Sequence, residues 1–181
     1  MLYMLQNCTI IRIIGVFFTE PIKSHYLIEI SKKARIAHTS VMGCLAKLQR
    51  LNLIIKESEK KGKRTFPLYK ANITNPQFRK YKILYNLFVL EESKIISFIK
   101  DTTFPKSIVI FGSYRRGEDT EESDIDIFVQ AHEKKLDLKQ FEHKLKRKIQ
   151  LHFKDSINSY AQELKNNIIN GIVLEGYLEV F

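Results

Sequence analysis

The chain has 181 residues, room for one ordinary domain or two small ones at roughly 100 to 200 residues each. With 44% apolar and 28% charged residues and only 7 Gly and 4 Pro, disordered, collagen-like and low-complexity classes are excluded. The formal charge of +10 is unevenly spread: up to Thr74 there are 13 basic and 4 acidic residues, a net +9, against +1 for the rest. Such an excess implies a polyanion or an anionic membrane surface as partner of the first part, with a solvated basic surface as the plainer alternative.

Cys8 and Cys44 lie far apart with no metal-ligand spacing nearby, so neither a disulfide scaffold nor a zinc site is expected, and a reducing cytoplasm fits. The apolar start, Met1 to Phe18, is interrupted by Gln6, Asn7 and Arg12 and reads as neither signal peptide nor membrane span. A cytoplasmic protein with no membrane partner is therefore expected.

Residues 8–18 put Ile10, Ile13, Ile14 and Phe17 on one helical face, and Pro21 closes the segment. A second short helix is expected from Tyr26 to Lys33. The helical pattern resumes at Val41, Cys44, Leu45 and Leu48, with Ala37-His38-Thr39-Ser40 supplying capping hydroxyls. Leu53 to Ser58 and Thr65 to Lys70 read as extended segments flanking Lys60-Lys61-Gly62-Lys63-Arg64, a turn whose charges stay in water. Three helices followed by a basic hairpin, from about Ile10 to Lys70, resemble the winged helix-turn-helix domain. The resemblance implies DNA as partner: the third helix would enter a major groove with His38, Thr39, Ser40, Gly43 and Lys47 outward. Lys60, Lys61, Lys63 and Arg64 of the wing would then contact backbone phosphates. Winged helices also serve in protein interaction and often pair, which leaves a homodimer open.

Asn75-Pro76 is a helix-start signal, followed by an apolar stripe at Phe78, Tyr81, Ile83, Leu84, Leu87 and Leu90. A further helix, Ser93 to Lys100, turns Ile95, Ile96, Phe98 and Ile99 inward before Thr102, Thr103 and Pro105 break it.

Ser107 to Phe111 reads as a short buried strand running into Gly112-Ser113, a turn that can start a helix. Ser123 to Val129 is a second strand, whose period of two sets Asp124 and Asp126 on one face and Ile125 and Ile127 on the other. Two carboxylates about 7 Å apart along a strand repel each other unless a cation joins them, and Mg²⁺ favours one or two carboxylates plus substrate phosphates. Gly112-Ser113 supplies the complementary half, a close backbone approach with amides and a hydroxyl for phosphate oxygens.

The ordered set Gly112-Ser113, Arg116-Gly117 and Ser123-Asp124-Ile125-Asp126 resembles the DNA polymerase beta nucleotidyltransferase superfamily, in particular its minimal nucleotidyltransferase branch. The resemblance implies transfer of a nucleoside monophosphate from an NTP, ATP being the expected one, with pyrophosphate leaving. Ser113 and the Gly112 backbone would grip the β and γ phosphates, Asp124 and Asp126 would hold Mg²⁺, and Arg116 would add charge near the phosphates. Active members carry a third carboxylate on a following strand. Here that strand is expected at Lys148 to Phe153, after a helix from about Leu138 to Lys146, and its inward position is Gln150, with His152 two residues on as an alternative base. Glu118, Asp119, Glu121 and Glu122 are expected to form a solvated acidic loop. The tail, Tyr160 to Phe181, is expected to pack the sheet's other face, as a helix with Leu164, Ile168 and Ile169 inward and then Gly171-Ile-Val-Leu.

The expected fold is thus α+β: a winged helix-turn-helix domain at 1–74, a helical connector at 75–103, and a small nucleotidyltransferase-type mixed sheet packed with helices at 104–181. Two functions compete: a Mg-dependent nucleotidyltransferase acting on a protein, nucleic acid or small molecule, and a DNA-binding regulator whose second domain senses NTP, as an antitoxin-like partner protein. A protein-interaction module is a third reading, and a partner chain could complete the acceptor site.

Overall fold

A computed structural model describes residues 7–179. Residues 1–6 and 180–181, which belong to the first and last expected domains, lie outside the described residues. The fold is mixed α+β, and the chain divides into two compact units, one ending at Tyr85 and the other starting at Asn86.

The first unit opens with α1 (Thr9–Thr19), which buries Ile13, Ile14, Val16, Phe17 and Phe18. A short strand β1 (His25–Tyr26) leads into α2 (Leu27–Ala34), whose start is fixed by the Tyr26 amide donating to Glu29 Oε2 at 2.9 Å, half of a capping box. Helix α3 (His38–Arg50) buries Val41, Leu45 and Leu48. The hydroxyls expected to cap it do not: Ala37 is the cap residue, it makes no side-chain cap bond, and His38, Thr39 and Ser40 already lie within the helix. Strands β2 (Ile54–Lys61) and β3 (Arg64–Ala71) pair antiparallel from Ile54 opposite Ala71 to Lys61 opposite Arg64, so the hairpin runs further toward its tip than the pattern suggests. Gly62, at φ +61°, takes the left-handed turn position there. Strand β1 completes a three-stranded sheet in the order β1-β3-β2. The apolar faces of the three helices and the sheet close one core, which also takes in Phe78.

Helix α4 (Pro76–Ser93) begins as expected, with proline at its first position and Asn75 Oδ1 accepting from the Gln77 amide at 2.9 Å. Its inward face departs from the expected stripe. Tyr81 and Leu84 are exposed, while Phe78, Lys82, Asn86 and Leu90, spaced by four, are buried. The division between the units falls within this helix.

The second unit continues with α5 (Ile95–Thr103), which buries Ile95, Ile96 and Ile99, and is built on a four-stranded mixed sheet in the order β6-β5-β4-β7. Its strands are β4 (Ser107–Phe111), β5 (Ile125–Val129), β6 (Ile149–Phe153) and β7 (Ile172–Gly176). β5 and β6 are parallel, joined through α7 (Lys139–Leu145); β4 is antiparallel to both β5 and β7. Ile108, Ile110, Ile125, Ile127 and Val129 belong to a core with Leu90, α5 and Phe141. Val109, Phe111 and Phe128 form a second cluster with Ile157 and Ile168. Ile168 comes from α8 (Gln162–Ile169), which therefore packs the other face as expected, but Ile169 is exposed. The Ile-Val-Leu run after Gly171 forms an edge strand bonded to β4, with Ile172 and Leu174 packed against the core that holds α5. Among the described residues no helix is long and apolar enough to cross a membrane.

Candidate active site

The candidate site is assembled where β4 ends. Phe111 lies opposite Asp126 in the antiparallel β4–β5 pair, so the residue that follows it, Gly112, turns the chain directly beside the aspartate. Gly112 has φ +72°, and a Cβ built there would overlap Asp126 Oδ2. The position needs glycine twice over, for its dihedral and for the space the carboxylate occupies. Helix α6 (Gly112–Arg116) follows and closes with Gly117 in the left-handed conformation.

A buried polar contact holds this turn in place. Asn86 Nδ2 donates to the Tyr114 carbonyl at 2.8 Å, satisfying one end of α6, and to Asp119 Oδ1 at 2.9 Å. Asp119 is 1% exposed and faces Arg147 Nη2 at 3.8 Å. The acidic loop is therefore not uniformly solvated as expected. Glu122 is exposed, but Asp119 is buried, and both carboxylate oxygens of Glu121 are buried. Asn86, Asp119 and Arg147 are the structural residues that periodicity misses. The one signal available is a polar residue at a spacing of four from Lys82 and Leu90.

Asp124 lies just before β5 and Asp126 within it, half-buried, with buried Ile125 and Ile127 alternating to the opposite side. The parallel β5–β6 register sets Asp126 opposite Gln150 and Phe128 opposite His152. Gln150 Nε2 donates to Asp124 Oδ2 at 2.5 Å, and His152 Nε2 lies 3.3 Å from Asp126 Oδ1. The His152 ring packs edge-on against Phe111 with centroids 5.1 Å apart. Gly112, Asp124, Asp126, Gln150 and His152 thus meet in one place. Ser113 is half-buried in the first turn of α6. Arg116 points its Nε at Glu118 Oε2, 2.6 Å away, so its charge is already engaged.

The donor set suits a hard divalent cation: carboxylate oxygens, one of them lying directly against the Gly112 backbone because no side chain stands there. Among the described residues no three or more His, Cys, Asp or Glu side chains are arranged to hold a metal ion. Two carboxylates meet the requirement of Mg²⁺ that arrives with phosphates and waters of its own.

Residues 93–177 match the family model described as Polymerase beta, Nucleotidyltransferase. This nucleotidyltransferase-type domain contains Gly112, Ser113, Arg116, Asp124, Asp126, Gln150 and His152. Over 35 residues the chain is 63% identical to a protein of Methanocaldococcus jannaschii named "Putative protein adenylyltransferase", covering 19% of this chain. The chain spans about a third of the length of that curated relative, 35% of it. No solved structure matches the chain. The matches support nucleotidyl transfer as the general chemistry of this unit.

The residues expected to meet DNA all lie on the first unit. His38, Thr39, Ser40, Gly43 and Lys47 are exposed on α3, and Lys60, Lys61, Lys63 and Arg64 are exposed around the hairpin tip. Lys61 is partly engaged, 3.3 Å from Glu59 and 4.9 Å from the centre of the Tyr26 ring.

Proposed function

We propose that the second unit is a Mg-dependent nucleotidyltransferase that moves a nucleoside monophosphate from an NTP, ATP by preference, to an acceptor hydroxyl. The observation that carries this reading is the placement of Gly112 against Asp126, with Asp124 two residues before it at the entry to the same strand. Asp124 and Asp126 would hold the Mg²⁺, which supplies charge neutralisation at the triphosphate. Gly112 lets the backbone approach the terminal phosphates, and the Ser113 hydroxyl donates to them. Arg116 exchanges Glu118 for a phosphate oxygen as the nucleotide enters. The acceptor oxygen forms a bond to the α-phosphorus, the bond to the β-phosphate oxygen breaks, and pyrophosphate departs. With no third carboxylate, the His152 imidazole is the group assigned to take the acceptor proton, in the tautomer that leaves Nε2 unprotonated once its contact with Asp126 is released.

The name of the archaeal relative favours a protein acceptor, and a partner chain would supply it. In this reading the first unit is a winged helix-turn-helix domain that places the protein on DNA, alone or as a homodimer, in the cytoplasm. Its three helices, its basic hairpin and the net +9 up to Thr74 support that assignment.

Gln150 at the third position favours a second reading, an antitoxin-like DNA-binding regulator that binds Mg·NTP without turnover. Incubation with Mg²⁺ and α-labelled ATP separates the two. Label transfer or pyrophosphate release that an Asp124→Ala variant loses supports the enzyme. Tight Mg·ATP binding with no transfer to the chain or to an added partner supports the sensor.

A further inference from the structure

We propose that Gln150 is a positioning residue that keeps the site closed to a free divalent cation, so that metal enters only as its NTP complex. The inference rests on the nucleotidyltransferase reading above and specifies how that site is loaded.

Asp126 and Gln150 sit side by side on parallel strands, and the exposed Gln150 side chain reaches to the preceding aspartate, where its Nε2 donates to Asp124 Oδ2 at 2.5 Å. Only the nitrogen end of the amide can make this bond, since a carboxylate oxygen accepts and does not donate. The bond uses an oxygen that a cation would need, and it offsets part of the repulsion between Asp124 and Asp126 that would otherwise draw a cation in. His152 Nε2 faces the other carboxylate at Asp126 Oδ1, 3.3 Å away. Each aspartate is therefore engaged by a β6 side chain.

A free cation would have to break the Gln150 bond and would find two negative charges in return. A triphosphate brings several more, together with oxygens already bound to the metal, and these replace the carboxylate that position 150 lacks. Gln150 can then rotate its amide and present Oε1, or leave the site. Changing residue 150 shifts the order of loading: an aspartate adds charge, and a methionine of similar length removes the donor without adding charge.

The test is Mn²⁺ titration followed by electron paramagnetic resonance, using the full chain as wild type, Gln150→Met and Gln150→Asp, with and without a non-hydrolysable α,β-methylene ATP analogue. Gln150 is exposed, so both variants keep the fold, which circular dichroism checks. The expected result is weak binding of Mn²⁺ alone to wild type and at least about tenfold tighter binding with the analogue present. Mn²⁺ alone then binds more tightly to Gln150→Met, and about tenfold or more so to Gln150→Asp. Wild type binding Mn²⁺ alone as tightly as Gln150→Asp, or Gln150→Met binding it more weakly than wild type, overturns the inference while leaving the nucleotidyltransferase reading intact. No binding of the Mn²⁺–analogue complex to wild type overturns both.

Discussion

Gly112 and Asp126 occupy each other's space: the aspartate's Oδ2 lies where a Cβ on Gly112 would be, and the glycine holds φ +72°. A Gly112→Ala variant must displace the carboxylate and adopt a left-handed backbone, which costs a non-glycine residue roughly 1–2 kcal/mol. Titration should show Mg·ATP affinity falling at least about tenfold, more than the backbone strain alone would lower stability. Gly43 is the control. It is exposed within α3 with nothing within 4 Å of a Cβ, and Gly43→Ala should raise stability by about 0.5–1 kcal/mol. Equal effects at the two glycines would contradict this account of the turn.

The acidic loop separates buried from solvated carboxylates. Removing Asp119 leaves Arg147, itself buried, without that partner, and takes a hydrogen bond from Asn86. Asp119→Ala should therefore cost about 3–5 kcal/mol in chemical denaturation. The exposed Glu122→Ala should change stability by less than about 0.5 kcal/mol. A mild Asp119→Ala would mean that the bond from Asn86 to the Tyr114 carbonyl, not Asp119, holds the turn.

Duplex binding by the first unit is expected to weaken with salt, with a log-log slope near −0.9 for each phosphate contacted. Replacing Lys60 and Lys63, both exposed near the hairpin tip, with alanine should flatten that slope by about 2 units across unrelated DNA sequences. A salt-independent affinity, or a slope indifferent to the two lysines, would remove the wing from the interface.

Acid should destabilise the first unit in two stages. His25 is fully buried against Phe17, and burial, reinforced by the Lys33 charge, holds its imidazole below the ordinary 6.5, although Glu20 and Glu29 pull upward. The unfolded chain then takes up the proton first, so stability is complete above pH 6.5 and declines as pH falls through that value toward the lower folded-state pKa. Glu20 adds a second stage. Burial raises its pKa, but Lys33, with His25 and Lys23, outweighs burial and holds it below 4.5, so its contribution is present above 4.5 and lost below. Thermal melts at pH 7.5, 6.5 and 5.5 should show a falling midpoint that a His25→Phe variant flattens. A midpoint independent of pH over that range would contradict the buried neutral imidazole.

Elements set by local pattern were legible in the sequence. The alternation of Asp124, Ile125, Asp126 and Ile127 specified which face carries the carboxylates, and the strand expected at Lys148 to Phe153 is β6, parallel to β5 with Gln150 opposite Asp126. Elements set by distant partners were not. On α4 the apolar residues Tyr81 and Leu84 suggested the inward face, yet Asn86 is buried there because Tyr114 and Asp119, far along the chain, accept its hydrogen bonds. Likewise β7 exists because β4 offers it an unpaired edge, and a short apolar run does not by itself reveal that pairing. The cap of α3 failed for the opposite reason: hydroxyl-rich composition favours a cap, but the helix starts early enough to absorb Thr39 and Ser40.

The most direct test of the account is calorimetric titration of Mg·ATP into the full chain and into Asp124→Asn and Asp126→Asn, substitutions that keep shape and remove charge. The account predicts saturable binding by wild type and at least about a tenfold loss in each variant. Affinity that ignores both substitutions would contradict it.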